Sequence, residues 1–548
     1  MRIVECVPNI SEGRRKEVYE EIAQAAASVA GVSLLDVDPG WETNRTVITF
    51  VGEPEAVLEG AFQLVKRSFE LIDMREHHGA HGRQGATDVC PFVPVSGVTM
   101  DDCVDLANRL GRRVGEELGV PVYLYEYAAT RPERTSLAEI RKGEYEALPA
   151  KLEDPEFVPD YGPSDFVPSF GAMVTGARKF LVAYNVNLNV TDKRWANRVA
   201  FDVRETGRTI TDADGNTVQQ PGMLKAVRGV GWYIPEYGCA QVSMNLIDLD
   251  TTPLHVVFDA CDTSARDRGI RVTGSELVGL VPKATIVDAG RHYLKRMGRS
   301  PGVPESDLVH AAIRSLGLNE VASFDPSEKI IEEILAPERP LASLTVQGFA
   351  DETSRDSAAP GGGSVAALAG ALAASLAAMV SNLPQPKSDY ADVKDRLEEI
   401  AERAQELKQD LLDAIDEDTW AFQKLMEAAR SGDTVRSRSA TLHAAEVPLG
   451  VAEACVEIAG LCRSALEVGM AASSSDAGVG AGMARAAAAG AAMNTYINLQ
   501  DMTDDAEAAA LLRRADAAVD RTDELATAVE AEVWRRLGRD GNLVVKDS

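Results

Sequence analysis

The spacing of hydrophobic and polar positions first separates a region of mixed strands and helices, which we place at residues 1–180. Short runs rich in β-branched residues predict strands, and segments with apolar residues at helical spacing predict helices. The predicted strands are RIVECVP, VSLLDVD and RTVITFVG, and the predicted helices are RRKEVYEEIAQAAASVA and PEAVLEGAFQLVKRSFELI. Their βαββα order favours an α+β layer, in which helices cover one face of a sheet containing antiparallel strands, over a Rossmann-type domain.

The same order of elements returns in residues 181–325. A strand at FLVAYNVNLN precedes a helix at RWANRVAFDVRETG, strands within GVGWYIPEYGCAQVSMNLID and a helix at TPLHVVFDACDTSARDRG. We therefore predict two α+β subdomains of ferredoxin-like, βαββα type. Two similar subdomains side by side leave a natural cleft for a small molecule.

The pattern changes again in the last part of the chain. A predicted linker at residues 326–342 contains Pro337 and Pro340, and residues 343–548 are alanine-rich and helix-periodic. They predict an all-α helical bundle, so the expected architecture is multidomain. Residues 357–386 lack charged side chains, but they are mostly Ala, Gly and Ser. Such residues favour a closely packed core helix over a membrane span.

Composition narrows the function classes. The 548 residues include 45% hydrophobic and 26% charged positions, which is typical of globular protein. The formal net charge of −29 argues against nucleic acid or an anionic membrane as a partner. The 7 cysteines are scattered and form no CxxC pair, and the N-terminus shows no apolar signal core. We expect a cytoplasmic protein in a reducing compartment.

The stretch HHGAHGRQGATDVCPF, residues 77–92, concentrates histidines beside glycines. His77, His78 and His81 have spacings that favour a metal, with Asp88 or Cys90 as further ligands, but the glycines disfavour a helix and no other histidine cluster matches. One imidazole that acts as a general base, with glycines that let a substrate approach, is the sharper interpretation. A metal site and a solvated loop remain alternatives.

Two further clusters lie in the first region. In LLDVDPGWETNRTV, Asp36 and Asp38 precede a turn; a carboxylate there would orient an imidazole, and Arg45 would hold a substrate carboxylate. In PSDFVPSFGAMVTGARKF, Phe166 and Phe170 would hold a flat heterocycle between them. A capped turn and simple loop anchoring are the respective alternatives.

The helical region contributes a glycine segment and a group of acids. SAAPGGGSVAALAG opens a helix whose free N–H groups suit an anion or a polar ring, without the GK[ST] of a nucleotide P-loop. In DAIDEDTWAF, the acids Asp416 and Asp418 lie beside Trp420, and paired acids in a helical core can form an acid–base catalyst. A tight loop and a solvated acidic face are the alternatives. Asn498 and the acids of INLQDMTDD end a later helical run.

Taken together, these motifs resemble the bifunctional formiminotransferase–cyclodeaminase family across nearly the whole chain. The resemblance rests on nine segments in order: VECVPNISEG, LLDVDPGWETNRTV, HHGAHGRQGATDVCPF, PVYLYEYAA, RKGEYEALPAKL, DFVPSFGAMVTGARKFLVAYNVNLN, SELVGLVPKA, SAAPGGGSVAA and NLQDMTDD. It implies that the N-terminal half moves a formimino group from N-formimino-L-glutamate to N5 of tetrahydrofolate. It implies that the C-terminal half cyclises 5-formiminotetrahydrofolate to 5,10-methenyltetrahydrofolate and releases ammonia.

The resemblance also implies site residues. The transferase histidine falls on His81, the cyclodeaminase aspartate on Asp418, and the folate-binding segment on residues 162–171. Two positions depart from the family: Gly82 stands where the family usually has proline, and Glu276 stands where glutamine is common. With the clusters above, the predicted substrate- and folate-binding residues are Asp38, Asn44, Arg45, Gly162, Pro163, Ser164, Asp165, Phe166, Val167, Pro168, Ser169, Phe170, Gly171, Arg178, Gly361, Gly362, Gly363 and Ser364.

Tetrahydrofolate is the expected co-substrate, no metal is expected, and the partners are formiminoglutamate and folates, with polyglutamylated folates left open. We expect no nucleic acid or membrane partner, and a homo-oligomer formed through the Ala- and Gly-rich helical domain. The alternative is a single-activity or retuned one-carbon folate enzyme in which one half serves as a folate-binding or oligomerisation module. A folate carrier with inactive halves and a metal-dependent deaminase are further alternatives.

Overall fold

The computed structural model describes residues 2–79, 82–211, 215–357 and 359–538. The predicted catalytic residue His81 lies outside the described residues. The chain divides into two compact units, Met1–Thr285 with Gly317–Leu335, and Ile286–Leu316 with Ala336–Ser548. Each unit is built around its own hydrophobic core.

The first part of the N-terminal unit is a mixed sheet that, among the described residues, has seven strands. The strands are β1 (Ile3–Cys6), β2 (Asn9–Ile10), β3 (Val32–Gly40), β4 (Arg45–Gly52), β5 (Thr87–Ser96), β6 (Val122–Glu126) and β7 (Met173–Ala177). Strands β1 and β2 follow one another between β4 and β5 and are antiparallel to both, and β3 pairs with the outer edge of β4. Beyond β5, the strands β5, β7 and β6 run parallel to one another. Loops that are distant in sequence therefore meet at the same edge of the sheet.

Helices cover both faces of this sheet, whereas the sequence pattern predicts helices on one face. The helices are α1 (Lys16–Ala27), α2 (Pro54–Leu71), α3 (Met100–Arg113), α4 (Leu137–Ile140) and α5 (Glu144–Leu152). Apolar residues of α1, α2 and α3 pack with Cys90 and Leu124 in the main core. Tyr123 and Tyr125 alternate with Leu124 and pack with Ile140 and Leu148 on the opposite face. A strand with apolar residues at successive positions is buried on both faces, which requires this second layer.

The second part of this unit is a smaller antiparallel sheet. Its elements are β8 (Val182–Leu188), α6 (Lys193–Val203), β9 (Arg208–Thr211), β10 (Thr217–Gln220), β11 (Val227–Ile234), β12 (Cys239–Leu246), α7 (Leu254–Arg266) and β13 (Val272–Val278). The sheet order is β11-β12-β8-β13, and β9 and β10 form a separate hairpin that the sequence pattern does not predict. The alternation along β8 places Tyr184 in the interior and the amides of Asn185 and Asn187 on the opposite side.

The second unit is helical. Its first segment is Ile286–Leu316, which begins within α8 (Lys283–Arg296) and continues through α9 (Glu305–Leu316). The two short helices that follow, α10 (Pro326–Lys329) and α11 (Ile331–Ile334), belong to the N-terminal unit. The remaining helices are α12 (Val346–Thr353), α13 (Gly362–Asn382), α14 (Lys394–Ser431), α15 (Thr434–Val468), α16 (Ser474–Leu499) and α17 (Ala506–Arg536). Residues 286–316 join this unit through Asn382 Nδ2, which donates to the carbonyl oxygen of Gly302 at 2.6 Å.

Helix α13 is the centre of the helical unit. Among the described residues it alone is long and apolar enough to cross a membrane by length and composition, with a mean hydropathy of 1.9. Its alanines, Ala367, Ala374 and Ala377 among them, are buried against α14, α15 and α16. Small side chains allow helices to approach closely, so the uncharged composition is explained by packing. The chain therefore has a mixed α/β N-terminal region and a helix-rich C-terminal region.

Candidate functional site

The histidine-rich loop is held to the strand-end turn by Asn44. This residue has a left-handed backbone with φ of 49°, its Oδ1 accepts the N–H of Gly13 at 3.0 Å, and its Nδ2 donates to the carbonyl of His78 at 3.1 Å. His77 Nε2 donates to the carbonyl of Asn44 at 2.7 Å, and its Nδ1 accepts from Arg83 Nε at 3.3 Å. Burial lowers the pKa of His77. Both ring nitrogens are therefore engaged, and His77 ties the loop to the sheet.

The same loop meets the predicted folate-binding segment through two glycines. Gly85 and Gly171 form an isolated antiparallel bridge, and Ala86 N–H donates to the carbonyl of Phe170 at 2.8 Å. A Cβ at Gly171, where φ is +83°, would lie 2.1 Å from the carbonyl oxygen of Gln84. Only glycine tolerates both this approach and this backbone. Three sequence clusters, at residues 34–47, 77–92 and 162–171, are thus brought together.

A cavity of about 500 Å³ opens beside this loop, lined by His78, Gly79, Arg83, Gly143, Glu144 and Glu146. Arg83 is buried and donates to Glu146 at 2.8 and 3.0 Å and to Glu144 at 3.2 Å. The cavity is of a size that suits a small polar molecule. The neighbouring His78 is exposed, in contrast to His77.

Charged groups also gather around Arg45, the residue that the sequence analysis predicts to hold a substrate carboxylate. Arg45 donates to Asn9 Oδ1, and Arg141 forms an ion pair with the buried Asp88. Burial lowers the pKa of the Arg45 guanidinium, as does nearby Arg141, while Asp88 and Asp38 oppose the effect. Two guanidinium groups near one another form an environment that attracts a carboxylate.

Within residues 162–171 the structure corrects one interpretation. Phe170 is 0% exposed and packs on Phe69 with ring centroids 5.7 Å apart, so its ring belongs to the core and is not available to hold a heterocycle. Phe166 is partly buried and packs on Tyr145 at 5.5 Å. The exposed residues of the segment are Gly162, Ser164, Asp165 and Pro168, while Pro163, Val167 and Ser169 are partly buried.

Arg178 lies where its charge acts on two carboxyl groups of the first sheet. Burial raises the pKa of Glu5 to about 7, and Arg178 opposes this increase. Burial also raises the pKa of Glu126, which Arg178 and Arg228 oppose. Neither acid was among the predicted site residues, because a single acid in a strand gives no periodic signal.

Glu276, the departure from the family noted in the sequence, is an acceptor on the polar side of the smaller sheet. Its Oε2 accepts from Asn185 at 3.2 Å and from Gln241 at 3.3 Å, and its Oε1 accepts from Tyr237 at 2.9 Å. A carboxylate satisfies these donors more strongly than a neutral amide would.

In the helical unit, Asp418 of α14 meets the glycine segment that begins α13. Ser364 Oγ lies 3.2 Å from Asp418 Oδ2, and a Cβ at Gly363 would lie 2.1 Å from Asp418 Oδ1. Burial raises the pKa of Asp418, while hydrogen bonds from the side chain and backbone of Ser364 oppose this. Because a Cβ at position 363 would overlap the carboxyl group of Asp418, glycine is required there. The predicted residues Gly361, Gly362, Gly363 and Ser364 all lie at this point.

The neighbouring acid has a different environment. Asp416 is 1% exposed, and its two oxygens accept the backbone N–H groups of Leu341 at 2.9 Å and Ala342 at 3.0 Å. It anchors the segment before α12 and does not face the glycines. In the later motif, Asn498 Nδ2 donates to the carbonyl of Ala444 at 2.7 Å, and Asp505 caps α17 and pairs with Arg438.

Sequence reasoning missed Asn494 on α16. Its Nδ2 lies 2.9 Å from the position of a Cβ at Gly362, so it borders the glycine segment beside Asp418. It precedes Asn498 by one helical turn, and helical periodicity from that motif would have reached it. Among the described residues no group of three or more His, Cys, Asp or Glu side chains has an arrangement that would hold a metal ion.

Comparisons with known proteins agree over both units. Family models match residues 3–178 (formiminotransferase domain, N-terminal subdomain), 183–336 (formiminotransferase domain) and 345–517 (formiminotransferase-cyclodeaminase). A formimidoyltransferase-cyclodeaminase of Gallus gallus is 44% identical over 516 residues, which cover 92% of this chain and 94% of the relative. The Rattus norvegicus protein of the same name is 43% identical with the same coverage.

A shorter relative matches the N-terminal unit. The glutamate formimidoyltransferase of Streptococcus pyogenes is 40% identical over 294 residues, which cover 54% of this chain and 94% of the relative. The full-length identity and the three family models confirm the resemblance carried by the motifs. The chain belongs to the bifunctional formiminotransferase–cyclodeaminase family of enzymes.

Proposed function

We propose that the N-terminal unit transfers the formimino group of N-formimino-L-glutamate to N5 of tetrahydrofolate. The helical unit then cyclises the product to 5,10-methenyltetrahydrofolate with release of ammonia, which are steps of histidine degradation and one-carbon folate metabolism. Tetrahydrofolate is the co-substrate, and no metal takes part. The family supports both activities, and the two separate groups of candidate residues support one reaction in each unit.

For the transfer, we assign the general base to His81. N5 attacks the formimino carbon and loses a proton, and the departing nitrogen of glutamate gains one, so a single neutral imidazole can serve both steps. The observation that supports this assignment is the engagement of His77 by the Asn44 carbonyl and Arg83, which leaves the base to a neighbouring imidazole. Arg45 holds a substrate carboxylate beside Asp38 and Asn44.

The folate is held along residues 162–171, with Arg178 near its negatively charged end. The support for this placement is the bridge between Gly85 and Gly171, which brings the segment against the histidine loop. Phe170 supports the segment from the core, so its exposed residues make the contacts. Polyglutamylated folates remain candidate substrates.

For the cyclisation, we assign proton transfer to Asp418. N10 forms a bond to the formimino carbon and loses its proton, and the exocyclic nitrogen receives a proton and leaves as ammonia with the electron pair of the broken C–N bond. A carboxyl group whose pKa is raised by burial suits both roles. Its position against Gly363 and Ser364 is the observation that carries the proposal.

The finer architecture belongs to the same proposal. We assign the formiminotransferase subdomains to residues 1–180 and 181–325, the linker to 326–342, and the cyclodeaminase domain to 343–548. The order β11-β12-β8-β13 supports a ferredoxin-like second subdomain. The protein works in the cytoplasm as a homo-oligomer formed through the helical domain.

The test is incubation of the purified chain with formiminoglutamate and tetrahydrofolate, followed by measurement of glutamate, ammonia and methenyl-folate absorbance. The wild type should release glutamate and ammonia in a ratio near one. Asp418→Asn should keep the shape of the side chain, release glutamate, accumulate 5-formiminotetrahydrofolate and release little ammonia. Glu417→Gln, at the exposed neighbouring position, is the matched control and should behave as wild type.

A ratio that stays near one in Asp418→Asn would contradict the assignment of the proton carrier. Glutamate release without ammonia in the wild type would favour the alternative, a single-activity enzyme whose helical unit serves as a folate-binding or oligomerisation module.

A further inference from the structure

Two successive glycines at the start of α13 each face a polar side chain from a different helix. A Cβ at Gly363 would meet Asp418 of α14, and a Cβ at Gly362 would lie 2.9 Å from Nδ2 and 3.5 Å from Oδ1 of Asn494 on α16. The carboxyl group and the carboxamide therefore border the same short backbone segment. Glycine at both positions allows the two polar side chains to approach the backbone closely.

The carboxamide of Asn494 has unused hydrogen-bonding capacity. Its Nδ2 donates to the carbonyl of Gly490 at 2.8 Å, which fixes the orientation of the group. In the part of the chain that the structure describes, no donor lies within hydrogen-bonding distance of its Oδ1, and the side chain is only half-buried. An amide oxygen of this kind can accept a hydrogen bond from a ligand.

Apolar side chains flank the carboxamide on the same helix. Met493 is 69% exposed and Ile497 is 57% exposed, and Val365 of α13 is 41% exposed. These side chains offer a surface for the flat rings of a folate beside the two polar groups.

We propose that Asn494 Oδ1 accepts a hydrogen bond from the exocyclic nitrogen of the formimino group as that nitrogen leaves. This inference rests on the proposed cyclodeaminase function. As N10 bonds to the formimino carbon, the exocyclic nitrogen receives a proton, the C–N bond breaks, and ammonia departs with the bonding electron pair. Positive charge develops on this nitrogen, so its N–H groups donate more strongly to Oδ1 in the transition state than in the substrate.

The first experiment measures ammonia release from supplied 5-formiminotetrahydrofolate by Asn494→Leu and Asn494→Asp. Asn494→Leu should lower kcat by about 10- to 100-fold, the scale of a lost hydrogen bond to a charged group, and change KM by less than about 3-fold. Asn494→Asp retains an acceptor oxygen and should keep a larger share of kcat. Formimino transfer, measured on the same preparations, should stay at the wild-type rate.

Tyr496→Phe is the matched control. Its hydroxyl donates to Asp516 at 2.8 Å, so the substitution removes a polar group from the same turn of α16 without reaching the glycine segment. It should leave ammonia release unchanged. A wild-type kcat in Asn494→Leu, or equal losses in Asn494→Leu and Asn494→Asp, would overturn the assignment.

A second experiment displaces the carboxamide without replacing it. In Gly362→Ala the new Cβ would push the end of the Asn494 side chain aside, while alanine favours the helix. Thermal stability should hold or rise while ammonia release falls. In an Asn494→Leu background the Gly362→Ala substitution should have little further effect, because both changes act on one interaction.

Additive losses in the double variant would refute the role of Asn494. The same measurements distinguish a failure of this inference from a failure of the proposed cyclodeaminase function. If the wild type released no ammonia, the cyclodeaminase function itself would fail. If the wild type were active and Asp418→Asn inactive while Asn494→Leu had wild-type kcat, only the present inference would fail.

Discussion

Replacement of Glu5 by glutamine should stabilise the protein at alkaline pH and have little effect at acidic pH. Glu5 lies in the middle of β1 and is 5% exposed, with Val51 and Val93 as its neighbours on the adjacent strands. Burial raises the pKa of its carboxyl group to about 7 from an ordinary value of 4.5, although Arg178 partly offsets this. The charged form is therefore disfavoured in the folded state.

The sign and size follow from proton linkage. Below pH 4.5 the carboxyl group is mostly protonated in both the folded and the unfolded protein, so it does not lower the free energy of unfolding. Between pH 4.5 and about 7 folding takes up a proton, so the stability of the wild type falls as pH rises. Above about 7 the full loss is present. At about 1.4 kcal/mol for each pH unit, the difference between 4.5 and about 7 corresponds to an upper bound of roughly 3.5 kcal/mol in the free energy of unfolding.

The assay is thermal or denaturant unfolding of wild type, Glu5→Gln and Glu17→Gln at pH 5, 6, 7 and 8. Glu17 is exposed on α1 and serves as the control for loss of one negative charge. The stability difference between Glu5→Gln and wild type should grow with pH and level off above about 7. A difference independent of pH, or a Glu5→Gln variant less stable than wild type at pH 8, would refute the reasoning and indicate that Arg178 outweighs burial.

Further predictions concern catalysis and assembly. His81→Ala should lower formimino transfer by roughly 10²–10⁴-fold and spare cyclisation of supplied 5-formiminotetrahydrofolate; near-normal transfer would move the role to His78. Chelators should leave both activities intact, and stoichiometric zinc whose removal abolishes transfer would contradict this. A chain cut within residues 326–343 should yield an active transferase fragment. Residues 343–548 should fold only as an oligomer, which sedimentation would show, and an active monomeric fragment 343–548 would contradict this second expectation.

The spacing of apolar residues predicted individual strands and helices better than it predicted how these elements pack together. The run VSLLDVD lies in β3 and the helical spacing after Pro54 corresponds to α2, because burial on one side imposes a period on the sequence. The second helical layer was missed, since α4 and α5 are short and α5 contains Pro149. The hairpin of β9 and β10 was missed because its residues are nearly all exposed and show no apolar alternation.

The candidate sites show a similar division. Motifs located the histidine loop, the segment 162–171 and the glycines before α13, because loops with special backbone requirements carry glycine and proline. The histidine loop and the segment 162–171 meet at Gly85 and Gly171, and this meeting depends on the parallel pairing of β5 and β7, which no local pattern contains. Asn494 lies one helical turn before Asn498, so the helical period places it on the same face of α16, but its position beside the glycine segment depends on the packing of α16 against α13.

The two acids of α14 show why the sequence alone left the acid–base groups of the candidate cyclodeaminase site open. Asp416 and Asp418 share a chain neighbourhood, and two residues along a helix correspond to a rotation of about 200°. One carboxylate therefore turns to the backbone N–H groups of Leu341 and Ala342, which fix it as an acceptor. The other turns to the glycines of α13, where Ser364 contacts it. The acid held by two N–H groups secures the segment before α12, and burial raises the pKa of the acid beside the glycines, which suits the proton transfer proposed for it.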